Sequence, residues 1–174
     1  MDLLDFDPTE LYFEQEECEE VEKLIKQAGN SYEDGEAELP LLQAFLRSPE
    51  SLNVLVAINR FYYYQHRLPE ALLVSEKALE IIRKKLELPC DWQTIELQDI
   101  SNAPKDQLSW VRLYLFTLKS IGFLKMRLHE LEPSKAIFEK LTTLDSEDRI
   151  GAKALLELVT RTIDESNHIF HIYK

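Results

Sequence analysis

Glycine is scarce in this 174-residue chain, with only 4 residues, and no long apolar run goes uninterrupted by charge. The first shortage argues against flexible linkers and low-complexity disorder, which need such residues in place of side chains that can be buried. The second argues against a membrane span. A crossing helix requires roughly 18 uncharged apolar residues, and Arg60, Arg67, Arg112 and Lys119 break the richest stretches. Cysteine is limited to Cys18 and Cys90, far apart and outside any Cys-x-x-Cys spacing. Neither a disulfide framework nor a redox or zinc motif is indicated, and both thiols are expected to be buried or half-buried. The segment Met1 to Phe6 carries Asp2 and Asp5 where a secretory signal would carry basic residues, so the expectation is a cytoplasmic protein.

An excess of basic residues is also lacking. Residues 1 to 38 hold 14 acids against Lys23 and Lys26, whereas residues 39 to 174 hold 18 acids and 18 bases, so the N-terminal fifth carries the whole net charge of -12. Such a block repels nucleic acid and anionic membrane, which are held by Lys and Arg neutralising phosphates. Residues 1 to 17 are therefore read as an acidic, disordered leader that aids solubility or attracts a basic partner segment.

What the chain does have is helical periodicity. Apolar residues recur at three- and four-residue steps, as in Leu55, Ile58 and Tyr62, or Ala71, Ala78 and Ile82, and no run alternates as a strand would. Breaks are expected at Asn30 to Gly35, at Ser48-Pro49 and at His66 to Pro69, with Pro133 opening a helix. Ser146, Glu147 and Asp148 are expected in the first turn of a last helix, where acids complement its dipole. Roughly seven helices follow, in antiparallel neighbours.

A grid of about 34 residues, the length of a repeated helix pair, organises these helices. A unit starting at residue 52 has Leu55, Ile58 and Tyr62 in its first helix and the small residues Ala71 and Ala78 in its second. One period earlier, from Cys18, stand Val21, Leu24, Ile25 and Ala28, then Ala37, Leu41, Ala44 and a terminal Pro49. A third unit, Leu115 to Asp148, supplies Leu118, Ile121, Gly122, Leu131, Ser134 and Phe138, and Ala152, Leu155, Leu156 and Val159 begin an incomplete fourth. These positions resemble the tetratricopeptide repeat family. The resemblance implies an all-α, right-handed superhelix of about three TPR-like helix pairs plus a C-terminal capping helix, over residues 18 to 165 with a tail at 166 to 174.

The sequence departs from the family pattern at Asn59, Ser75 and Lys125, and more seriously at residues 86 to 114, an insertion between the second and third units. The third unit's first helix is expected to start early, near Gln107. The insertion is turn-rich and carries Trp92, read either as a partner anchor or as a side chain folded back onto the core.

Catalytic constellations are missing: no Gly-rich phosphate loop, no Gly-x-Ser-x-Gly and no His-Glu-x-x-His is present. His168 and His171 are three apart, but two ligands make a weak metal site. His66 and His129 read as boundary residues at a turn and a helix end. The expectation is a non-enzyme with no cofactor and no metal. An uncharacterised enzyme or metal-binding protein using His168, His171 or Cys90 stands as the rival reading.

In tetratricopeptide arrays the first helix of each unit lines a concave groove. The resemblance therefore implies a partner-binding set of Asn53, Arg60, Tyr63 and Tyr64 from one helix and Lys119, Phe123, Met126 and Arg127 from another, with Val56 and Phe116 beside them. Aromatic, Met and Arg side chains are the types enriched in interfaces. Tyr62 is assigned to packing, and Tyr63 and Tyr64 either to packing or to a partner. The expected function is an adaptor or chaperone-like scaffold binding another protein or peptide segment, with no nucleic acid and no membrane, and with a homodimer left open. A bacterial secretion chaperone is the narrower alternative.

Overall fold

The computed structural model describes residues 17–30 and 36–172, the side chains of Lys105 and of residues 167–172 excepted. The leader up to residue 16 and the break at 31–35 lie outside it, as do the His168 and His171 side chains. All regular structure among the described residues is helical: α1 (Glu19–Asn30), α2 (Glu38–Arg47), α3 (Leu52–Tyr64), α4 (Leu68–Lys85), α5 (Leu97–Ser101), α6 (Leu108–Arg127), α7 (Leu131–Leu144) and α8 (Lys153–Ile172). Among these residues no helix is long and apolar enough to cross a membrane.

The chain divides into two compact units, Met1–Arg67 and Leu68–Lys174, where the sequence reads as one domain over 18 to 165. In the first unit α2 packs on both α1 and α3. Ser51 starts α3, accepting a hydrogen bond from the Val54 N–H at 3.2 Å, and Pro49 follows the end of α2. Ala28, Ala37 and Ala44 are fully buried beside Val21 and Leu41, small side chains that let helix backbones approach closely.

In the second unit α6 packs on α4 and α7, and α7 packs on α8. The α6–α7 crossing is tight. A Cβ added at Gly122 would lie 2.8 Å from Phe138 Cε1 and 3.0 Å from Ile137 Cγ2, so only glycine fits without repacking. Helix α6 begins at Leu108, in line with the expected early start, and the irregular part of the insertion ends at Gln107. The insertion is anchored by buried Leu88, Ile95 and Ile100 and by the short helix α5, which packs on α7.

Two expected boundaries move. Helix α7 starts at Leu131, so Pro133 stands in its first turn rather than opening it. Glu147 and Asp148 precede α8 instead of lying within it, because the chain first makes a turn with Asp148 at φ 54°. The Asp148 carboxylate then accepts from the N–H groups of Ala152 at 2.7 Å and Lys153 at 3.1 Å, satisfying donors that the start of α8 would leave orphaned. The backbone of α8 continues through the residues read as a tail, to Ile172.

Three helices end alike, with a residue in the left-handed region that is not glycine: His66 (φ 56°), Glu87 (φ 55°) and His129 (φ 63°). Each is followed by an N–H that reaches back to the carbonyl five residues earlier, Arg67 to Tyr62, Leu88 to Arg83 and Glu130 to Lys125. This paired closure satisfies the last carbonyls of α3, α4 and α6.

Candidate functional site

The eight residues read as partner-binding fall four in each unit. On α3, Arg60 and Tyr64 are exposed and Tyr63 is half-buried, with its ring edge-on to Tyr64 at 5.7 Å between centroids. Asn53 is half-buried and donates its amide to the Glu17 carboxylate at 3.4 Å, an acceptor shared with the Ser51 hydroxyl. Tyr62 packs as assigned, half-buried beneath the Arg67 guanidinium at 4.5 Å, with its hydroxyl donating to Glu38. Glu38 also accepts from Arg67 at 2.8 Å, so this end of α3 is tied to the start of α2.

On α6 the cationic and aromatic residues stack on one another. The Arg127 guanidinium lies over the Phe123 ring at 5.9 Å and that of Arg112 over Phe116 at 5.9 Å. Both arginines are exposed, whereas both rings and Met126 are half-buried. A guanidinium over an aromatic face is held by the ring quadrupole while its N–H fork stays available to a carboxylate. The rings are seven residues apart and so recur along one face of α6 at about 10 Å, with the two arginines outside them, fifteen residues or about 22 Å apart along the helix.

Lys119 departs from its reading as a surface cation. It is 7% exposed, and its ammonium donates to the Ile150 carbonyl in the turn before α8. Burial lowers its pKa below the usual lysine range, and the nearby Asp148 carboxylate partly opposes that shift. The side chain is committed to holding the α7–α8 turn and is withdrawn from the partner-binding set. Sequence spacing could not show this, because the Ile150 carbonyl reaches it from a turn 31 residues away.

A second feature had no counterpart among the eight residues. Helix α6 forms the floor and α4 and α7 the walls of a cavity of about 340 Å³, which Cys90, Trp92 and Gln93 of the insertion close at one side. Trp92 is folded back and half-buried there, the second of its two readings. Arg83 anchors this edge: its guanidinium donates in a two-point fork to Glu80 at 2.7 and 2.8 Å, and to the Leu88 carbonyl at 2.7 Å. The hydrogen bond from Arg83 pulls the Glu80 pKa down to about 2. Burial pushes the Tyr114 hydroxyl, under the same cavity, up to about 12.

Both thiols are exposed, contrary to expectation. Cys18 stands just outside α1, where its carbonyl accepts from Val21 and Glu22, and Cys90 lies on the rim of the cavity. Among the described residues no three His, Cys, Asp or Glu side chains gather as a metal site.

No family model matches the sequence, and no solved structure matches it. The chain is 39% identical over 159 residues to a protein of Azotobacter chroococcum mcd 1, described as an uncharacterized 19.8 kDa protein in the nifW 5' region. The alignment covers 91% of this chain and 89% of that one.

Proposed function

The chain belongs to the same family as that Azotobacter chroococcum protein, and for it we propose a protein-interaction role, as a TPR-like module that holds a partner's acidic, partly apolar segment along the outward face of α6. The observation that carries this reading is the pair of stacks, Arg112 on Phe116 and Arg127 on Phe123. Each offers an apolar ring edge beside a pre-oriented guanidinium, a combination enriched among residues that dominate binding energies. The rings, about 10 Å apart, match apolar side chains about three residues apart in an extended segment or seven apart in a helix, with an acidic residue outside each to meet its arginine.

The TPR-like character is supported by the buried small residues at the repeat-grid places: Ala37, Ala44, Ala71, Ala78, Gly122 and Ser134. The role follows from the α6 face and not from the repeat, since one helical architecture serves many functions. On this reading binding is non-covalent and weakens with salt.

The test is affinity capture from native lysate with wild type and with Arg112→Glu/Arg127→Glu, each shown to be folded by circular dichroism. A partner held by the wild type and released by the reversal supports the α6 face. Equal capture of the same partner by both sinks it.

A further inference from the structure

Helix α2 is apolar on two opposite sides. Its inner side buries Leu41 and Ala44 against α1 and α3. Its outer side carries Leu39, Leu42 and Leu46, which at spacings of three and four form one stripe and are 64%, 42% and 79% exposed. A helix with this composition belongs in an interior, yet a contiguous leucine stripe on a surface marks an association site.

We propose that the α2 stripe is the contact between two copies of this chain, packed antiparallel about a two-fold axis near Leu42. The charges at its two ends select that occupant. Glu36, two residues before α2, and Arg47 at its end are both exposed, so the two ends of the stripe carry opposite charges. Antiparallel packing brings each end of the stripe against the opposite end of the other copy's. Leu39 of each copy then meets Leu46 of the other, and Glu36 meets Arg47 twice, as a self-complementary contact requires. Arg47 already pairs with Glu20 of its own chain at 2.8 Å, but both side chains are largely exposed, and a guanidinium has donors for two carboxylates.

The acidic leader is a poorer occupant. Residues 2 to 16 hold six acids and no base, and Glu36 just before α2 and Glu38 at its start would repel them. Three leucines on one helix fall short of the roughly 800 Å² per partner of a standard interface, so the dimer is weak and depends on concentration.

Sedimentation velocity on the full chain, over a concentration series from low to high micromolar, tests this. The wild type shows a monomer–dimer equilibrium. Leu46→Lys, at a position too exposed to disturb folding, raises the dissociation constant by about tenfold or more. Arg47→Glu and Glu36→Lys each weaken the dimer, and the double reversal restores it. The two positions are separated by nearly the whole ten-residue α2, about 15 Å long, so that rescue must act between copies. A wild type monomeric throughout overturns the proposal, as does a dimer indifferent to Leu46→Lys or a double reversal without rescue.

Discussion

The Ser134 hydroxyl donates a hydrogen bond to the Gly122 carbonyl at 2.7 Å, joining α7 to α6 where the two helices pack tightly. Both residues are buried, and the contact is possible because neither carries a large side chain. Gly122→Ala gains helix propensity of about 1 kcal/mol, but its methyl meets the buried Phe138 ring at 2.8 Å. Overpacking of this kind costs about 1–3 kcal/mol. The net expectation is destabilisation by up to about 2 kcal/mol, read as a lower urea midpoint. A midpoint equal to or above wild type would show that Phe138 yields freely.

Much of this crossing was legible in the sequence. The repeat grid placed Ala37, Ala44, Ala71, Ala78, Gly122 and Ser134 at close-approach places, and all are buried. Side-chain size reports packing directly, so a spacing argument reaches it. Helix ends were less legible, because His66, Glu87 and His129 occupy the left-handed position that glycine usually announces. The site was legible in part. Of the proposed α6 face the grid named Phe116, Phe123 and Arg127 but not Arg112, the burial of Lys119 depends on a carbonyl far along the chain, and the Trp92 cavity depends on how an irregular insertion folds back.

Those helix ends yield a second prediction. A left-handed conformation costs an L-residue about 1–2 kcal/mol, and glycine returns about 0.5–1 kcal/mol of that through its looser unfolded chain. Glu87→Gly and His129→Gly are each expected to stabilise the protein by up to about 1 kcal/mol in urea denaturation. His66 and Glu87 are exposed, as is His129, so little packing is removed. Loss of stability in both variants would mean that the side chains contribute more than their backbone strain.

Asp148 combines that backbone conformation with a cap on α8. Asp148→Ala removes the acceptor for Ala152 and Lys153 and keeps the strain, so a loss of about 1–2 kcal/mol is expected. Asp148→Asn retains an acceptor oxygen and should lose less. The ranking Asp, Asn, Ala in thermal melts checks the cap. An Asn variant as unstable as Ala would point instead to the charge.

Lys119 and Tyr114 give opposite alkaline slopes. For Lys119 the folded pKa is lowered by burial, so the folded state releases its proton first, and the contribution to stability grows as pH rises towards 10.5. For Tyr114 the folded pKa is raised from 10.0 to about 12, so the unfolded state ionises first and stability falls between those values. Urea midpoints measured across that range should rise less steeply towards pH 10.5 in Lys119→Met and fall less steeply above pH 10 in Tyr114→Phe. An unchanged profile in either variant would remove that group as a cause.

The Arg83 fork makes the insertion's attachment sensitive to acid. Glu80 is held ionised down to about 2 by its hydrogen bonds from Arg83, against 4.5 when unpaired. Its contribution is therefore complete above pH 4.5 and is lost as pH falls towards 2. The same guanidinium holds the Leu88 carbonyl, so Arg83→Met should release the segment around Cys90 and Trp92 while the helix core stays folded. Hydrogen exchange would show faster exchange confined to residues 88–95, and the Trp92 emission would shift to the red as the side chain meets water. If exchange there is unchanged, the buried Leu88, Ile95 and Ile100 hold the insertion without the arginine.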